Sequence, residues 1–296
     1  MTTLTLRADD LDVELSTRGG LVTRLAWTLD GATVPLLREA PEGADALASA
    51  CYPLVPFGNR VRDNRFRFDG RTHELTPNTD WDPHYVHGEG WLTEWTVLDE
   101  TPASAALGFS HPGGGGTPYV YDARQDVAIR DGALHMRLSV TNRGGAPMPF
   151  GLGWHPYFPM TPGTTLRAEA RRFWTEVEGW MPGEPAPIPG DLDFSQARPL
   201  PERWVNNGFE DWSGTADIRW PERGAGVTLE ADPVFRHAFV FVSDRDFDPS
   251  YRRDYFCFEP MTHLADGHNM ADLGGLRVLR SGESLSGGMT LRPRRL

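Results

Sequence analysis

The stretch ALHMRLSV, residues 133–140, has the pattern that decides the fold. Leu134, Met136 and Leu138 recur at every second position, and the residues between them are polar. Successive side chains of a β-strand point to opposite faces, so an apolar period of two is typical of a strand with one buried face. The sequence therefore predicts a strand here, with one apolar face packed on a core.

The same alternation recurs along the chain. LDVEL at residues 11–15 repeats it, and HAFVFV at residues 237–242 predicts another strand. Asp69-Gly70 separates two further alternating runs, and this dipeptide suits the positive φ angles of a tight hairpin turn. Residues 166–180 are rich in helix-forming residues, but their apolar spacing fits a helix no better than a strand.

Glycine and proline limit the fold class. The 32 glycines and 25 prolines are spread along the whole chain, which leaves little room for helices of ordinary length. We find no internal repeat and no composition shift that marks a boundary. We therefore predict that residues 1–296 form a single all-β domain, a large antiparallel β-sandwich.

Composition excludes several functions. A formal charge of −12 argues against nucleic-acid and anionic-membrane partners. All 29 basic residues are arginine, so Schiff-base chemistry and a lysine base are excluded. The two cysteines, Cys51 and Cys257, match no metal or redox spacing. With no signal-peptide pattern and no long apolar run, we expect a soluble cytoplasmic protein.

Four short segments combine titratable side chains with rigid surroundings. Glu259 follows an apolar run and is expected at the end of a strand, where desolvation raises the pKa of a carboxylate toward the range of a general base. Taken singly, Glu259, His155 and His87 each have a structural explanation, as an arginine partner, a packed histidine and a turn cap. The segments are PLVPFGNRVRDNRF (53–66), HYVHGEGW (84–91), FGLGWHPYF (150–158) and FCFEPMTH (256–263).

Taken together, these motifs resemble the aldose 1-epimerases, or galactose mutarotases. Asn-Arg at 59–60, His-Gly and then Trp at 87–91, His-Pro-Tyr-Phe at 155–158 and Glu-Pro at 259–260 follow one another in the family's order. The residues of the last two motifs, HPYF and EPMTH, are closer to those of the broad bacterial branch of this family. The resemblance implies a large twisted antiparallel β-sandwich, the galactose mutarotase-like supersandwich, with an open sugar-binding cleft on one face.

The resemblance also implies an acid/base reaction that needs no metal or organic cofactor. Glu259 would take the proton of the C1 hydroxyl while His155 protonates the ring oxygen, so that the sugar ring opens to the aldehyde. Rotation about the C1–C2 bond and reclosure would then exchange the α and β anomers. His87 would hydrogen-bond the substrate near the reacting oxygen and assist the proton transfer.

Substrate-binding residues follow from the same resemblance. Asn59 and Arg60 would bind sugar hydroxyls, and Tyr157 or Trp91 would face the apolar side of the pyranose. Asn206, in VNNGFE, stands where the family usually has an aspartate. The amide brings no charge, so a preference for galactose or glucose stays open. The sequence also leaves open whether the protein is a monomer or a homodimer.

Three other functions remain open at the level of the sequence. One is a non-catalytic sugar-binding module of the same fold. The second is an epimerase of a phosphorylated or otherwise modified hexose, for which NRVRDNRFRF (59–68) offers four arginines, although alternating arginines more often form a solvated face. The third is a metal hydrolase, whose potential ligands fit no standard spacing: Asp82, His84, His87, His263 and His268.

Overall fold

A computed structural model describes all residues, 1–296, and the regular structure is almost entirely β. The strands are Thr3–Ala8 (β1), Leu11–Ser16 (β2), Leu21–Leu29 (β3), Ala32–Pro35 (β4), Cys51–Leu54 (β5), Arg65–Phe68 (β6), Arg71–Glu74 (β7), Thr96–Thr101 (β8), Ser104–His111 (β9), Tyr121–Arg130 (β10), Ala133–Asn142 (β11), Met148–Phe150 (β12), Gly153–Pro159 (β13), Thr165–Ala168 (β14), Arg172–Val177 (β15), Met181–Ala186 (β16), Arg198–Pro199 (β17), Val205–Glu210 (β18), Thr215–Trp220 (β19), Ala225–Ala231 (β20), His237–Val242 (β21), Tyr255–Met261 (β22), Arg277–Leu279 (β23) and Ser284–Arg295 (β24). Short 3₁₀ segments cover Arg62–Asn64, Glu178–Trp180, Pro221–Arg223, Gly267–Asn269 and Leu273–Gly275. No helix has the length and hydropathy needed to cross a bilayer.

Two large antiparallel sheets form the layers of the predicted sandwich. The first has 11 strands, in the order β1-β2-β3-β5-β13-β22-β21-β18-β15-β16, with β4 paired to β3. The second has 9 strands, in the order β17-β14-β19-β20-β24-β11-β10-β9-β8. Two small two-stranded sheets complete the regular structure: the β6-β7 hairpin and the pair β12-β23, whose strands are distant in sequence. The all-β sandwich predicted from alternation and breakers is confirmed.

The strands expected from sequence are present. In β11, Leu134, Met136 and Leu138 are buried, while the polar residues between them are partly or fully exposed. Asp69 and Gly70 connect β6 to β7 with φ angles of 48° and 72°, as the hairpin requires. Residues 166–180, for which the sequence was ambiguous, form β-structure and one 3₁₀ segment, and a bulge interrupts the pairing of β15 with β16.

The core lies between the two sheets. One contiguous cluster of 61 buried residues joins side chains from both, such as Met136 and Leu291 from the 9-stranded sheet and Trp154 and Phe258 from the other. A second cluster, of 11 buried residues, includes Tyr52, Tyr157 and Phe239. Because alternate residues of a strand point to opposite faces, Trp154 on the core face places its neighbour His155 on the other face of the sheet.

Strand register brings particular residues together on that outer face. Tyr52 of β5 pairs with His155 of β13, and Phe239 of β21 pairs with Glu259 of β22. The pairing of β13 with β22 aligns Gly153 with Met261 and Tyr157 with Cys257, so His155 lies opposite Glu259. Two predicted site residues, distant in sequence, therefore occupy adjacent central strands.

Candidate active site

The outer face of the 11-stranded sheet carries an open cleft of about 920 Å³. It is lined by residues from the central strands and from the loops that follow them. Every site residue expected from the sequence lines this cleft except Trp91: His155, Glu259, His87, Asn59, Arg60, Asn206 and Tyr157.

His155 and Glu259 form a contacting pair at the bottom of the cleft. The distance from His155 Nε2 to Glu259 Oε1 is 3.2 Å, and the two side chains are 10% and 1% exposed. Glu259 was expected at the end of a strand, but it lies inside β22, because the strand continues through Pro260 to Met261. Its position between two paired strands fixes its backbone more firmly than a strand end would.

Burial favours the uncharged form of both side chains. It lowers the pKa of His155 to about 3, and the positive charge of Arg38 acts in the same direction. It also raises the pKa of Glu259 well above its ordinary value, against an opposing effect of Arg60. A protonated carboxyl beside a neutral imidazole holds the same number of protons as a carboxylate beside an imidazolium. A single proton transfer across the 3.2 Å contact therefore interconverts the two forms.

Each member of the pair also has a second polar atom without a partner. Glu259 Oε2 and His155 Nδ1 are buried and make no hydrogen bond with the protein. Buried polar atoms usually have partners, because leaving them unpaired costs free energy. Both side chains therefore retain unused hydrogen-bonding capacity.

His87 is held by a reciprocal pair of hydrogen bonds with Asn59. The Asn59 N–H donates to His87 Nδ1 at 2.9 Å, and the His87 N–H donates to the Asn59 carbonyl at 3.1 Å. Burial, with the nearby charges of His155 and Arg60, lowers the pKa of His87 well below its usual range. Since Nδ1 accepts a hydrogen bond, the neutral ring carries its proton on Nε2. His87 is thus set as a hydrogen-bond donor.

Arg60 is buried and fixed by two neighbours. Its Nε donates to Asp82 at 2.7 Å, and its guanidinium lies 5.1 Å from the centroid of the Trp180 ring. The terminal guanidinium nitrogens make no hydrogen bond with the protein, which leaves them available in the cleft. The side chain is therefore oriented before any ligand enters.

Asn206 has a carboxylate neighbour that sequence reasoning missed. Its Nδ2 donates to Glu176 Oε2 at 2.5 Å, and Trp204 Nε1 donates to the same carboxylate at 3.1 Å. Burial raises the pKa of Glu176. Because the amide nitrogen is occupied by Glu176, Asn206 Oδ1 is the atom left for a ligand. Glu176 belongs to no motif, and its contact with Asn206 forms because β15 and β18 are neighbours in the sheet.

Trp91 occupies a different position from the one expected. Tyr52 stacks on His155 at 4.5 Å and on Trp91 at 5.4 Å, so Trp91 lies behind Tyr52. Its Nε1 donates to the Gly88 carbonyl at 2.9 Å, and the side chain is only 3% exposed. In this structure Trp91 supports the ring that packs on His155, and its predicted contact with the sugar stays a prediction.

Two further cleft residues, Tyr52 and Arg38, had no sequence signal. Arg38 lies 3.7 Å from the ring centroid of Tyr157 and 4.5 Å from that of Tyr255. Its guanidinium donates to the carbonyls of Leu47 and Ser49. Arg38 thus covers part of the Tyr157 ring, which reduces the aromatic surface that Tyr157 offers to the cleft.

The side chains considered as metal ligands in the metal-hydrolase alternative do not converge in the structure. No group of three His, Cys, Asp or Glu side chains is arranged to hold a metal ion. Asp82 pairs with Arg60, His263 Nε2 accepts the Gly58 N–H, and His268 contacts the Tyr119 hydroxyl. These side chains have separate structural partners.

The arginines of residues 59–68 do not converge on a phosphate site either. Arg60 lines the cleft, whereas Arg62 pairs with Asp266 at 3.2 Å. Arg65 and Arg67 are on the exposed face of β6. The solvated-face interpretation therefore fits two of the four arginines, Arg65 and Arg67.

Comparisons with known proteins agree with this architecture. Two antiparallel sheets with a cleft on the outer face of one define the galactose mutarotase-like class of β-sandwich. A galactose mutarotase-like protein from Clostridium acetobutylicum, 19% identical, superposes with a TM-score of 0.84 over 99% of this chain and 95% of its own. The chain matches the aldose 1-epimerase family over residues 2–292, and it belongs to that family.

Closer relatives come from Escherichia coli K12. The uncharacterized protein YphB is 43% identical over 293 residues, which cover 99% of both chains. The crystal structure of a candidate aldose 1-epimerase from the same organism is 42% identical and has a TM-score of 0.94, covering 100% of this chain and 99% of that one. Family and fold together support a sugar epimerase or mutarotase, an isomerase that takes a sugar as substrate.

Proposed function

We propose that this protein is an aldose 1-epimerase that interconverts the α and β anomers of an aldohexose by acid/base ring opening and reclosure. The contact between His155 Nε2 and Glu259 Oε1, at 3.2 Å in the bottom of the cleft, carries the proposal. An acid and a base on adjacent strands, each with a second unpaired atom, suit a reaction that moves one proton on and another off the same sugar.

In the reactive form, Glu259 is a carboxylate and His155 an imidazolium. Glu259 accepts the proton of the C1 hydroxyl, the C1–O1 bond becomes a carbonyl, and the bond between C1 and the ring oxygen breaks. His155 gives its proton to the ring oxygen, which becomes a hydroxyl. After rotation about C1–C2, the same proton transfers run backward, and the ring closes on the other face of the aldehyde.

The surrounding residues orient the sugar. His87 donates through Nε2 to an oxygen near C1, and Arg60 donates from its terminal nitrogens to ring hydroxyls. Asn206 accepts from another hydroxyl through Oδ1, and Asn59 holds the His87 ring in place. Each group is fixed by a protein contact before substrate binds, so little conformational entropy is lost when the reactants are aligned.

Polarimetry on freshly dissolved α-glucose and α-galactose, or NMR of the anomeric protons, tests the proposal. We expect the wild type to accelerate equilibration, and Glu259→Gln and His155→Gln to remove the acceleration. Glu39→Gln, on an exposed side chain paired with Arg24, is the matched control and should keep it. A chelator should leave the rate unchanged, because the proposed proton transfers use protein side chains alone.

Two results would contradict the proposal. Equal activity of Glu259→Gln and wild type would remove the carboxylate from the reaction. Binding of both sugars without any acceleration would instead identify a non-catalytic sugar-binding module.

A further inference from the structure

Exposed aromatic side chains are concentrated at one place on this protein. The chain has 10 tryptophans, 7 tyrosines and 15 phenylalanines. Among them only Trp81 and Phe247 are exposed, at 42% and 39%, and both line the cleft. Leu47, exposed at 41%, lines it as well. We call Trp81 and Phe247 the aromatic rim. Apolar side chains grouped around a concave site are typical of ligand contact.

Phe247 is held in a fixed position although it is exposed. Asp244 Oδ1 accepts the N–H groups of Asp246 and Phe247 at 3.0 and 2.9 Å, which fixes the loop. The Phe247 ring lies 5.4 Å from that of Trp180 and 5.1 Å from that of Trp204. An exposed ring that is packed on one side and hydrogen-bonded through its backbone is a preorganised surface for a planar apolar face.

The cleft is larger than one sugar ring requires. Its volume of about 920 Å³ lies near the upper end of the roughly 300–1,000 Å³ of clefts that enclose drug-sized ligands. The acid/base pair is buried at the bottom, whereas the aromatic rim is in contact with solvent. A hexose bound at Glu259 would therefore leave the rim region of the cleft vacant.

Charge at the rim indicates a neutral occupant. The carboxylates of Asp45, Asp246, Asp248 and Asp254 line the cleft, with Arg252 as the only arginine there besides Arg38 and Arg60. Arg38 already donates to protein carbonyls, and the charge of Arg60 is paired with that of Asp82 through Nε. Carboxylates accept hydrogen bonds from hydroxyls and repel phosphate, sulfonate and uronate groups. The rim therefore combines apolar faces with hydroxyl acceptors, which is the chemistry that recognises an uncharged sugar.

We propose that the aromatic rim and its aspartates form a second subsite, for an uncharged sugar unit linked to the aldose, so that the substrate is a reducing disaccharide or oligosaccharide. This inference rests on the proposed epimerase function. The free anomeric carbon must reach Glu259 and His155, so the second unit is joined through a non-anomeric hydroxyl of the reducing sugar. Its apolar C–H face packs on Phe247 or Trp81, and its hydroxyls donate to the aspartates.

The test compares kcat/KM for monosaccharides and for disaccharides that end in the same reducing sugar. Glucose is compared with maltose, cellobiose and melibiose, and galactose with 1,4-linked galactobiose. We expect at least one disaccharide to exceed its monosaccharide by about tenfold, the effect of one good aromatic contact. Phe247→Ala and Trp81→Ala should remove that advantage, whereas Leu98→Ala, an exposed leucine on β8 of the other sheet, should retain it.

Calorimetric binding to Glu259→Gln separates this inference from the proposed function. Tighter binding of a disaccharide than of its monosaccharide, lost when Phe247→Ala is added, supports the subsite even if no sugar is turned over. Turnover with equal kcat/KM for every matched pair overturns the subsite and leaves the epimerase intact. Tighter binding of glucose 6-phosphate than of any disaccharide would also overturn it.

Discussion

Glu259→Gln should separate catalysis from stability, because the two respond in opposite directions. The carboxylate is 1% exposed, its Oε2 has no partner, and burial raises its pKa. Glutamine has nearly the same shape but cannot ionise. A side chain retained for chemistry at a cost to the fold should lose activity and gain stability when its charge is removed.

The expected magnitudes follow from the protonation states. Loss of a general base costs about 10²- to 10⁴-fold in rate. For stability, the folded protein keeps the Glu259 proton over a pH range in which the unfolded chain has released it, so the wild type loses stability as the pH rises. The loss is about 1.4 kcal/mol per pH unit, from the unfolded pKa of about 4.3 up to the folded pKa. Glu259→Gln lacks this contribution, and its stability relative to wild type should therefore increase with pH.

Urea unfolding of both proteins at pH 5, 6, 7 and 8, together with polarimetry at each pH, measures the two effects. The pH at which the stability difference stops growing gives the folded pKa of Glu259. Other titrating groups are shared by both proteins and largely cancel in the difference. A variant that is less stable than wild type by the same amount at every pH would refute the reasoning, because Glu259 would then be a favourable structural partner of His155.

Other perturbations give independent tests. Asparagine tolerates the positive φ of 63° at position 87, so His87→Asn should change the free energy of unfolding by less than about 1 kcal/mol in urea unfolding. Because the variant lacks the imidazole donor, we expect its kcat/KM to fall about tenfold to a hundredfold. Asn206→Asp places a second carboxylate against Glu176 and should raise KM at neutral pH. Adding Glu176→Gln to this variant should restore KM, because the pair then again carries one carboxylate. An unrestored KM would count against this pairing. The buried histidines act in the opposite direction to Glu259, so their effect is measured in Glu259→Gln. From about pH 6.5 down to pH 5 the stability of this variant should fall by up to about 1.4 kcal/mol per unit for each buried histidine whose pKa burial lowers, because the unfolded chain takes up protons that the folded chain excludes. A flat stability profile of the variant in this range would contradict it. The histidines with the clearest effect are His155, at about 3, and His237 and His263, each at about 4.

The sequence predicts the fold class because the local pattern and the final structure agree. Alternation in β11 and the Asp69-Gly70 turn are local features, and the structure keeps them. The local pattern does not predict which strands pair with each other. Sheet order joins β5, β13 and β22, which are far apart in sequence, and no local pattern encodes that pairing.

The candidate site shows the same division. Motifs that resemble a family led to His155, Glu259, His87 and Arg60, and the structure brings these side chains into one cleft. Glu176 and Arg38 belong to no motif and enter the cleft only through strand register and loop contacts. The position of Trp91 behind Tyr52 could not be predicted from the motif, because it depends on ring packing between distant segments.

The location of the acid/base pair has a consequence for how this protein can diversify. His155 and Glu259 lie within paired central strands, where any backbone change disturbs neighbours on both sides. Trp81 and Phe247 lie in loops outside the regular strands. Under the proposed function, mutation of these loop residues would alter which sugars are accepted and leave the His155–Glu259 pair unchanged. The same separation makes Trp81 and the loop at residues 243–254, but not the neighbouring Asp82 and His87, the natural targets for engineering new substrate ranges on this scaffold.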